Sequence, residues 1–303
     1  MYSMTQLVRR AAQTNGNAIA TLDGERSQTW KEFLVRVAAF GGGLQKLGLA
    51  NGDCAAILAL NSDRYFEFLY SVWWAGGAVV PMNTRWSAAE NAYSLNDSGA
   101  QILFIDRNFV PMLDAIRAKA KGVRTIVYVG YDDAPEGMLS FEELIAQNPP
   151  CEDAQRGGEE LAGLFYTGGT TGFPKGVMLP HRALWYNAIV IAKEMRFDRD
   201  TRYLHAAPMF HMADFGFNTA IAMVGGCNVF IPSFEPEATM NAQETHRVNN
   251  MLLVPTMLGV ILAHPTFKPE RLKMLKSCIY GASPMPEGLL RQAMQVMPHV
   301  NFY

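Results

Sequence analysis

The chain has 303 residues, of which 49% are hydrophobic and 18% are charged, and its formal net charge is −2. This composition is typical of a globular protein with a sizeable core, and the length allows roughly two domains of about 150 residues each. The lack of a basic run argues against nucleic acid or an anionic membrane surface as a partner.

Four cysteines are spread along the chain without a C-x-x-C pair: Cys54, Cys151, Cys227 and Cys278. This spacing argues against a disulfide framework or a zinc site and favours reduced thiols in the cytoplasm. The first residues lack the apolar core of a secretion signal, and polar residues, beginning with Asn61, interrupt the apolar stretch 55–81. We therefore expect neither a signal peptide nor a transmembrane segment.

The first half of the chain predicts a regular alternation of strands and helices. Residues 1–28 indicate a short helix and a hairpin around Asp23-Gly24, and an amphipathic helix follows from Trp30 to Leu47. The next predicted strands are 54–60, 78–82, 101–105 and 125–129. The helices predicted between them are 62–75, 87–99 and 110–120, the second beginning with a capping box at Ser87 and Glu90.

Two further features of this half need an interpretation. Gly41-Gly42-Gly43 lacks the third glycine of a dinucleotide fingerprint, because Lys46 stands at that position, and it predicts close helix packing instead. The polar segment 148–160 contains Pro149-Pro150 and Gly157-Gly158, and it predicts a surface linker.

A second alternating set follows a helix predicted from 181 to 195. Its predicted strands are 203–207, 227–231, 251–254, 278–280 and 300–303. Its predicted helices are 214–224, 237–247, 257–264 and 287–297. Apolar strands that alternate with helices indicate an α/β fold with two parallel-type sheets and flanking helices. The chain stops at Tyr303 within a predicted strand, so we expect a truncated domain whose exposed edge favours self-association, for example as a homodimer.

The stretch from Tyr166 to Gly176 contains four glycines, three threonines and one lysine between two apolar runs. Glycines let backbone N–H groups surround an anion, threonine hydroxyls add donors, and Lys175 supplies a mobile positive charge. A Walker loop is excluded because Pro174 precedes Lys175 and Gly176 follows it. The remaining alternative is a Gly/Thr-rich hairpin with an exposed lysine.

The order of these residues resembles the phosphate loop of the adenylate-forming superfamily, Tyr-Thr-Ser-Gly-Thr-Thr-Gly-x-Pro-Lys-Gly. The chain departs from this form at Gly168, where serine is common, but the backbone N–H is kept. The resemblance implies that the following residues contact the triphosphate of a nucleotide: Thr167, Gly168, Gly169, Thr170, Thr171, Gly172 and Lys175.

A second motif, Ala207-Pro208-Met209-Phe210-His211, follows a predicted strand. It resembles the superfamily's acyl-binding motif Pro-x-Phe-His, which implies that His211 borders the carboxylate of the acid. Members that activate amino acids usually carry aspartate at the position of His211, so the histidine favours an acid without an α-amino group. Asp214 lies close enough in the sequence to keep the amino-acid alternative open.

A third motif, from Tyr280 to Pro286, resembles the superfamily's Gly-Gly-Ala-Pro-hydrophobic-Pro turn, with Tyr280 in place of the first glycine and Ser283 inserted. The resemblance implies that Gly281, Ala282, Ser283 and Pro284 border the adenine and the acyl tunnel. Tyr303 matches the first residue of the superfamily's Tyr-Gly-x-Thr-Glu run, whose tyrosine stacks on adenine.

The resemblance covers the whole chain and implies an acyl-CoA synthetase. We expect ATP-dependent formation of an acyl-AMP followed by transfer of the acyl group to coenzyme A, with ATP, Mg²⁺, coenzyme A and a carboxylic acid as ligands. Residues 1–303 would form an incomplete large domain with subdomains 51–195 and 1–50 plus 196–303, without the small C-terminal domain and without recognisable metal ligands, and would be inactive alone. An amino-acid adenylation domain and a non-catalytic ATP-binding module stay open as alternatives.

Overall fold

The structure is a computed structural model that describes residues 2–168 and 173–303. The helices and strands of the first half are, in chain order, α1 Thr5–Asn15, β1 Ile19–Asp23, β2 Arg26–Thr29, α2 Trp30–Lys46, β3 Cys54–Leu58, α3 Asp63–Ala75, β4 Ala78–Pro81, α4 Ala88–Ser98, β5 Ile102–Ile105, α5 Leu113–Lys119, β6 Thr125–Tyr128, β7 Leu139–Ser140 and α6 Phe141–Ala146.

The second half continues the alternation. Its helices and strands are β8 Leu161–Thr167, β9 Lys175–Pro180, α7 His181–Glu194, β10 Arg202–His205, α8 Met212–Val224, β11 Cys227–Phe230, α9 Pro236–His246, β12 Asn250–Leu252, α10 Pro255–Leu262, β13 Ser277–Ile279, α11 Glu287–Val296 and β14 Asn301–Phe302. In the described part of the chain, no helix is both long and apolar enough to cross a bilayer.

The chain divides into two compact units. Unit 1 holds the residues up to Arg9, Lys31–Leu60 and Arg64–Tyr186. Unit 2 holds Arg10–Trp30, Asn61–Asp63 and Asn187–Tyr303. The subdomain bounds predicted above stay predictions.

Each unit contains one mixed sheet. The strand order is β7-β6-β5-β3-β4-β8-β9 in unit 1 and β14-β13-β12-β10-β11-β1-β2 in unit 2. The strands pair in parallel except at one edge of each sheet, where β8 with β9 and β1 with β2 form antiparallel hairpins. The predicted α/β class with two parallel-type sheets is therefore confirmed, and the hairpin edges are an addition to it.

The sheet of unit 2 is covered on both faces, which explains its continuous apolar strands. Along β10, Tyr203 packs into one apolar cluster and Leu204 into another on the opposite face. Met251 and Leu252 of β12 divide in the same way. Successive side chains of a strand point to opposite faces, so a sheet buried on both sides requires apolar residues without alternation.

The segment 148–160 of unit 1 lies at the surface outside the helices and strands, as its composition predicted, but its backbone also packs against α2 and α3. The backbone N–H of Cys151 donates to the carbonyl of Ala38 at 3.0 Å, and the indole N–H of Trp74 donates to the carbonyl of Cys151 at 3.0 Å. A Cβ atom on Gly42 would lie 2.6 Å from the carbonyl oxygen of Pro149. The glycines of α2 therefore make room for this extended segment, whose polar backbone is held by α2 and α3.

Two details of the helices follow from local chemistry. The capping box predicted before α4 is confirmed, because Ser87 Oγ accepts from the N–H of Glu90 at 3.3 Å and the Glu90 carboxylate accepts from the N–H of Ser87 at 2.9 Å. The helix predicted over 110–120 is instead a 3₁₀ turn, Val110–Met112, followed by α5. The α-helix itself therefore begins at Leu113, three residues later than predicted.

Candidate functional site

The hairpin of β8 and β9 carries both ends of the predicted phosphate loop. Thr167 is the last residue of β8 and pairs with Lys175, the first residue of β9. Thr167, Gly168 and Lys175 are exposed, so their donors are open to a ligand. The other predicted loop residues lie outside the described residues: Gly169, Thr170, Thr171 and Gly172. The described part of the motif is thus a hairpin with an exposed lysine. This geometry is compatible both with a phosphate loop and with the alternative of a plain Gly/Thr-rich hairpin.

Helix α4 anchors the residues on both sides of this loop. The hydroxyl of Tyr166 donates to the carboxylate of Asp97 at 2.6 Å. Burial, together with this hydrogen bond, holds the pKa of Tyr166 well above its usual range. On the other side, the ring of Phe173 stacks on Tyr93, with centroids 4.7 Å apart and an interplanar angle of 18°. Both partners belong to α4, which therefore fixes where the loop begins and ends.

Two glycines of the motif differ in how much room the structure leaves for a side chain. Gly176 pairs with Tyr166 across the hairpin, and a Cβ atom on Gly176 would lie 3.0 Å from Cζ of the tyrosine ring. A side chain there would therefore require the tyrosine ring to move by a few tenths of an ångström. At Gly168, no atom among the described residues lies within 4 Å of an added Cβ. A serine at this position, as in the related loops, would meet no obstruction from the described part of the chain.

His211 of unit 2 is the N-cap residue of α8. Its Nδ1 accepts a hydrogen bond from the backbone N–H of Ala213 at 3.2 Å, and the ring is exposed. An accepting Nδ1 places the ring proton of the neutral imidazole on Nε2. His211 therefore combines a structural role at the helix start with an Nε2–H donor that has no partner within residues 2–168 and 173–303, and a carboxylate oxygen could accept from this donor.

A buried amide, which the sequence reasoning missed, fixes the backbone that leads to His211. The side-chain nitrogen of Asn61 donates to the carbonyls of His205 at 3.1 Å and Ala207 at 2.8 Å, and its oxygen accepts from the N–H of Met209. Asn61 is 5% exposed, so these hydrogen bonds are shielded from water. The only signal in the sequence was a polar residue that interrupts an apolar stretch.

Asp214 belongs to a buried hydrogen-bond network inside unit 2. Its carboxylate contacts His205 Nδ1 at 2.6 Å and accepts from the Tyr203 hydroxyl at 3.1 Å. His205 Nε2 contacts Asn228 Oδ1 at 3.0 Å. All four side chains are fully buried. Both carboxylate oxygens of Asp214 are thus occupied inside the protein, and Asp214 cannot serve as the exposed partner of a substrate ammonium group.

The third motif lies beside the end of the chain. The N–H of Tyr280 donates to the carbonyl of Tyr303 at 2.9 Å, and the N–H of Tyr303 donates to the carbonyl of Cys278 at 3.2 Å. This parallel pairing brings Tyr303 next to the turn that contains Gly281, Ala282, Ser283 and Pro284. The turn is largely exposed, and Ala282 has a φ of 63°. A left-handed residue other than glycine costs about 1–3 kcal/mol and is typical of binding sites.

His211 and this turn lie at the same edge of the sheet of unit 2. His211 follows β10, Gly281 follows β13 and Tyr303 follows β14. These strands belong to the parallel part of the sheet, so their carboxyl ends point the same way. Ligands of open α/β sheets bind beyond the carboxyl ends of the strands, which makes this edge the candidate site of unit 2.

Among residues 2–168 and 173–303, no group of three or more histidines, cysteines, aspartates or glutamates is arranged to hold a metal ion.

Comparison with known proteins identifies the family. Residues 8–303 match the family of AMP-binding enzymes. The chain is 34% identical to a feruloyl-CoA synthase of Amycolatopsis sp over 281 residues, which cover 92% of this chain and 54% of that enzyme. It is 30% identical to an indoleacetate–CoA ligase of Aromatoleum aromaticum over 271 residues, covering 88% of this chain and 52% of that enzyme. The chain thus spans about half the length of these curated relatives.

Solved structures agree with this assignment. The N-terminal domain of FACL13 from Mycobacterium tuberculosis, solved with an inhibitor bound, has a TM-score of 0.89 and 26% identity, covering 100% of this chain and 75% of that one. A solved structure from Rhodopseudomonas palustris shares the fold with a TM-score of 0.90 at 22% identity, covering 99% of this chain and 74% of that one. The chain belongs to the AMP-binding enzyme family.

Proposed function

We propose that the whole protein is an acid–thiol ligase that activates a carboxylic acid with ATP and transfers it to coenzyme A. In the first step a carboxylate oxygen attacks the α-phosphorus of ATP, the bond to the β-phosphate oxygen breaks, and pyrophosphate leaves. In the second step the coenzyme A thiolate attacks the acyl carbon and AMP leaves. The relatives named above, which form feruloyl-CoA and act on indoleacetate, support this reaction class.

The observation that carries this proposal is the exposed pair Thr167 and Lys175 at the two ends of the loop. We assign Thr167, Gly168, Gly169, Thr170, Thr171, Gly172 and Lys175 to the triphosphate. Donors that are already in place stabilise charge that develops on the phosphates without having to reorganise. The anchoring of both ends of the loop by α4 supports such preorganisation.

We assign His211 to the carboxylate of the acid, with Nε2–H as the donor. The enclosure of Asp214 by His205 and Tyr203 supports an acid without an α-amino group, because Asp214 is then not available to a substrate ammonium. We further assign Gly281, Ala282, Ser283, Pro284 and Tyr303 to the adenine side of the site. These assignments do not require a protein nucleophile.

Mg²⁺ would neutralise charge on the phosphates when it is bound. We assign no metal ligand to this chain and derive no step through the metal. A cytoplasmic location and a homodimer also stay proposals. The free thiols Cys54, Cys151, Cys227 and Cys278 support a reducing compartment, and size-exclusion chromatography with light scattering would measure the assembly.

Acid-dependent exchange of labelled pyrophosphate into ATP tests the first step. The whole protein should be assayed with ferulate, indoleacetate, a long-chain fatty acid and a panel of amino acids. We expect exchange with one of the acids that lack an α-amino group. Exchange with amino acids alone would favour an adenylation domain that serves a carrier protein. ATP binding without exchange for any acid would favour a non-catalytic ATP-binding module.

Replacement of Lys175 tests the nucleotide side. A charge-assisted contact contributes about 1.5–3 kcal/mol, so Lys175→Ala should weaken ATP binding or slow exchange by roughly tenfold or more. Lys121→Ala removes another exposed lysine of unit 1 and serves as the matched control. If both variants bind ATP and exchange pyrophosphate like the unaltered protein, Lys175 is not part of the site.

A further inference from the structure

Unit 2 contains a cavity that the proposed function does not use. It has a volume of about 620 Å³ and is lined in part by Arg202, Cys227 and Ile19, the first residues of β10, β11 and β1. Asn249 and Lys276, which directly precede β12 and β13, also line it. The cavity thus lies at the amino ends of the strands, whereas His211 and the 281–284 turn follow their carboxyl ends. Its volume is in the range of small-molecule sites.

The lining is strongly cationic. Arg199, Arg202, Arg247 and Lys276 face the cavity with a single carboxylate, that of Asp200. Among the described residues, no carboxylate lies within salt-bridge distance of Arg199, Arg247 or Lys276. Arg202 is half-buried and donates from Nη1 to the carbonyl of His246 at 3.0 Å, which leaves its positive charge without an acidic partner. Concave surfaces lined by one sign of charge concentrate ions of the opposite sign.

The side chains behind these cations are held in place. Asn249 is buried, accepts from the N–H of Arg202 at 2.8 Å and donates to the carbonyl of Asp200 at 2.8 Å. Arg247 ends α9 with a φ of 53°, a left-handed conformation that favours glycine or asparagine over arginine. The buried amide of Asn249 thus fixes the backbone at Arg202 and Asp200, and the cations of the lining surround an open space that an anion can enter.

We infer that this cavity binds a small molecule that carries two or more phosphate charges. Arginine forks match phosphate oxygens in geometry as well as in charge, and the cavity presents three of them with one lysine. A soluble ligand is favoured over a membrane surface because the cations surround a concavity instead of a flat or convex patch. The inference uses unit 2 alone and is independent of the proposed ligase activity.

Inorganic pyrophosphate is the probe for the test. Its affinity for the 303-residue chain is measured by calorimetry, and its position by NMR of methionine methyl groups, because Met274 lines the cavity. We expect the Met274 signal, assigned with Met274→Leu, to shift on titration. The signal of Met294, which is exposed on α11 outside the cavity, should stay in place.

The variant Arg199→Gln/Arg247→Asn removes two exposed cations, and asparagine suits the left-handed conformation at Arg247. It should keep the melting temperature and weaken the Met274-detected binding by roughly a hundredfold, at about tenfold for each charge-assisted contact. Lys175→Ala should leave this binding unchanged. The inference is overturned if Met274 does not respond, if Lys175→Ala abolishes the response, or if vesicles containing phosphatidic acid bind through these arginines while pyrophosphate does not.

Discussion

The side-chain oxygen of Asn61 accepts a hydrogen bond from the backbone N–H of Met209 at 2.8 Å, two residues before His211. The nitrogen of the same amide donates to the carbonyls of His205 and Ala207. One buried side chain therefore satisfies three backbone groups from the end of β10 to the segment before α8. Asn61 is distant in sequence from this segment, yet it determines where the N-cap of α8 and its imidazole lie.

Replacement of Asn61 should impair use of the acid more than use of ATP. Asn61→Ala leaves two carbonyls and one N–H without their partner, and each unsatisfied buried group costs about 1–3 kcal/mol. We expect the KM for the acid to rise roughly tenfold or more, with a smaller change in the KM for ATP. Asn108→Ala, at an exposed asparagine of unit 1, is the control. Equal losses for both substrates would indicate a general defect of folding.

A pair of variants can separate the two roles of His211, as the N-cap of α8 and as an Nε2–H donor. His211→Asn keeps a residue that caps helices well but removes the imidazole Nε2–H, whereas His211→Ala removes both functions. The loss of an N-cap costs about 1 kcal/mol. We expect only His211→Ala to lower the melting temperature and both variants to lose exchange with the acid while retaining ATP binding. Full activity of a folded His211→Asn variant would show that the imidazole acts only as a helix cap.

The packing of the segment 148–160 against α2 predicts an unusual result for a helical glycine. In most helices, replacement of an interior glycine by alanine stabilises the protein by about 0.5–1 kcal/mol. Gly42→Ala should instead destabilise it by about 1–3 kcal/mol, because the new methyl group would lie 2.6 Å from the carbonyl oxygen of Pro149.

Gly259→Ala is the matched control for this experiment. Gly259 lies inside α10, and its added Cβ would meet Leu289 at 3.8 Å, an ordinary contact. Urea unfolding should therefore show opposite signs for the two variants. A stabilised Gly42→Ala protein would contradict the tight packing of Pro149 on α2.

The lowered pKa of the buried His181 predicts that the stability of the protein depends on pH. Burial lowers the pKa of His181 from 6.5 to about 4, with the charge of Arg156 acting in the same direction and that of Glu160 opposing it. Between pH 6.5 and about 4, the unfolded chain binds a proton that the folded chain does not. Stability therefore falls as the pH falls through this window, and His181 has little effect above it.

The size of this effect follows from the two pKa values. At pH 5 the loss should be about 2 kcal/mol relative to pH 7, and it should be complete near pH 4. His181→Gln removes the titrating group but keeps an acceptor for the N–H of Met4, which donates to Nδ1 in the structure. Urea unfolding at pH 7 and pH 5 should show a smaller drop for the variant. Equal drops would mean that carboxylates alone account for the pH dependence.

Most of the fold was predictable because the relevant signals are local in the sequence. Apolar runs of strand length that alternate with helical periodicity predict a parallel α/β fold. The capping box at Ser87 and Glu90 is a spacing of three residues, and it formed as expected. The loop from Tyr166 to Gly176 is a contiguous run whose order of residues identified the family before any geometry was considered.

The sequence by itself therefore determined the fold class and the family and predicted the position of a phosphate loop, since each depends on residues that are adjacent or regularly spaced. The tertiary structure alone decided which polar residues are enclosed and which are free. Asp214 and His211 are three residues apart, yet Asp214 is buried against His205 and His211 is exposed. The contacts of Asn61 with Met209 and of Pro149 with Gly42 join chain segments that are far apart in the sequence and come together only on folding. No local sequence pattern predicts such contacts.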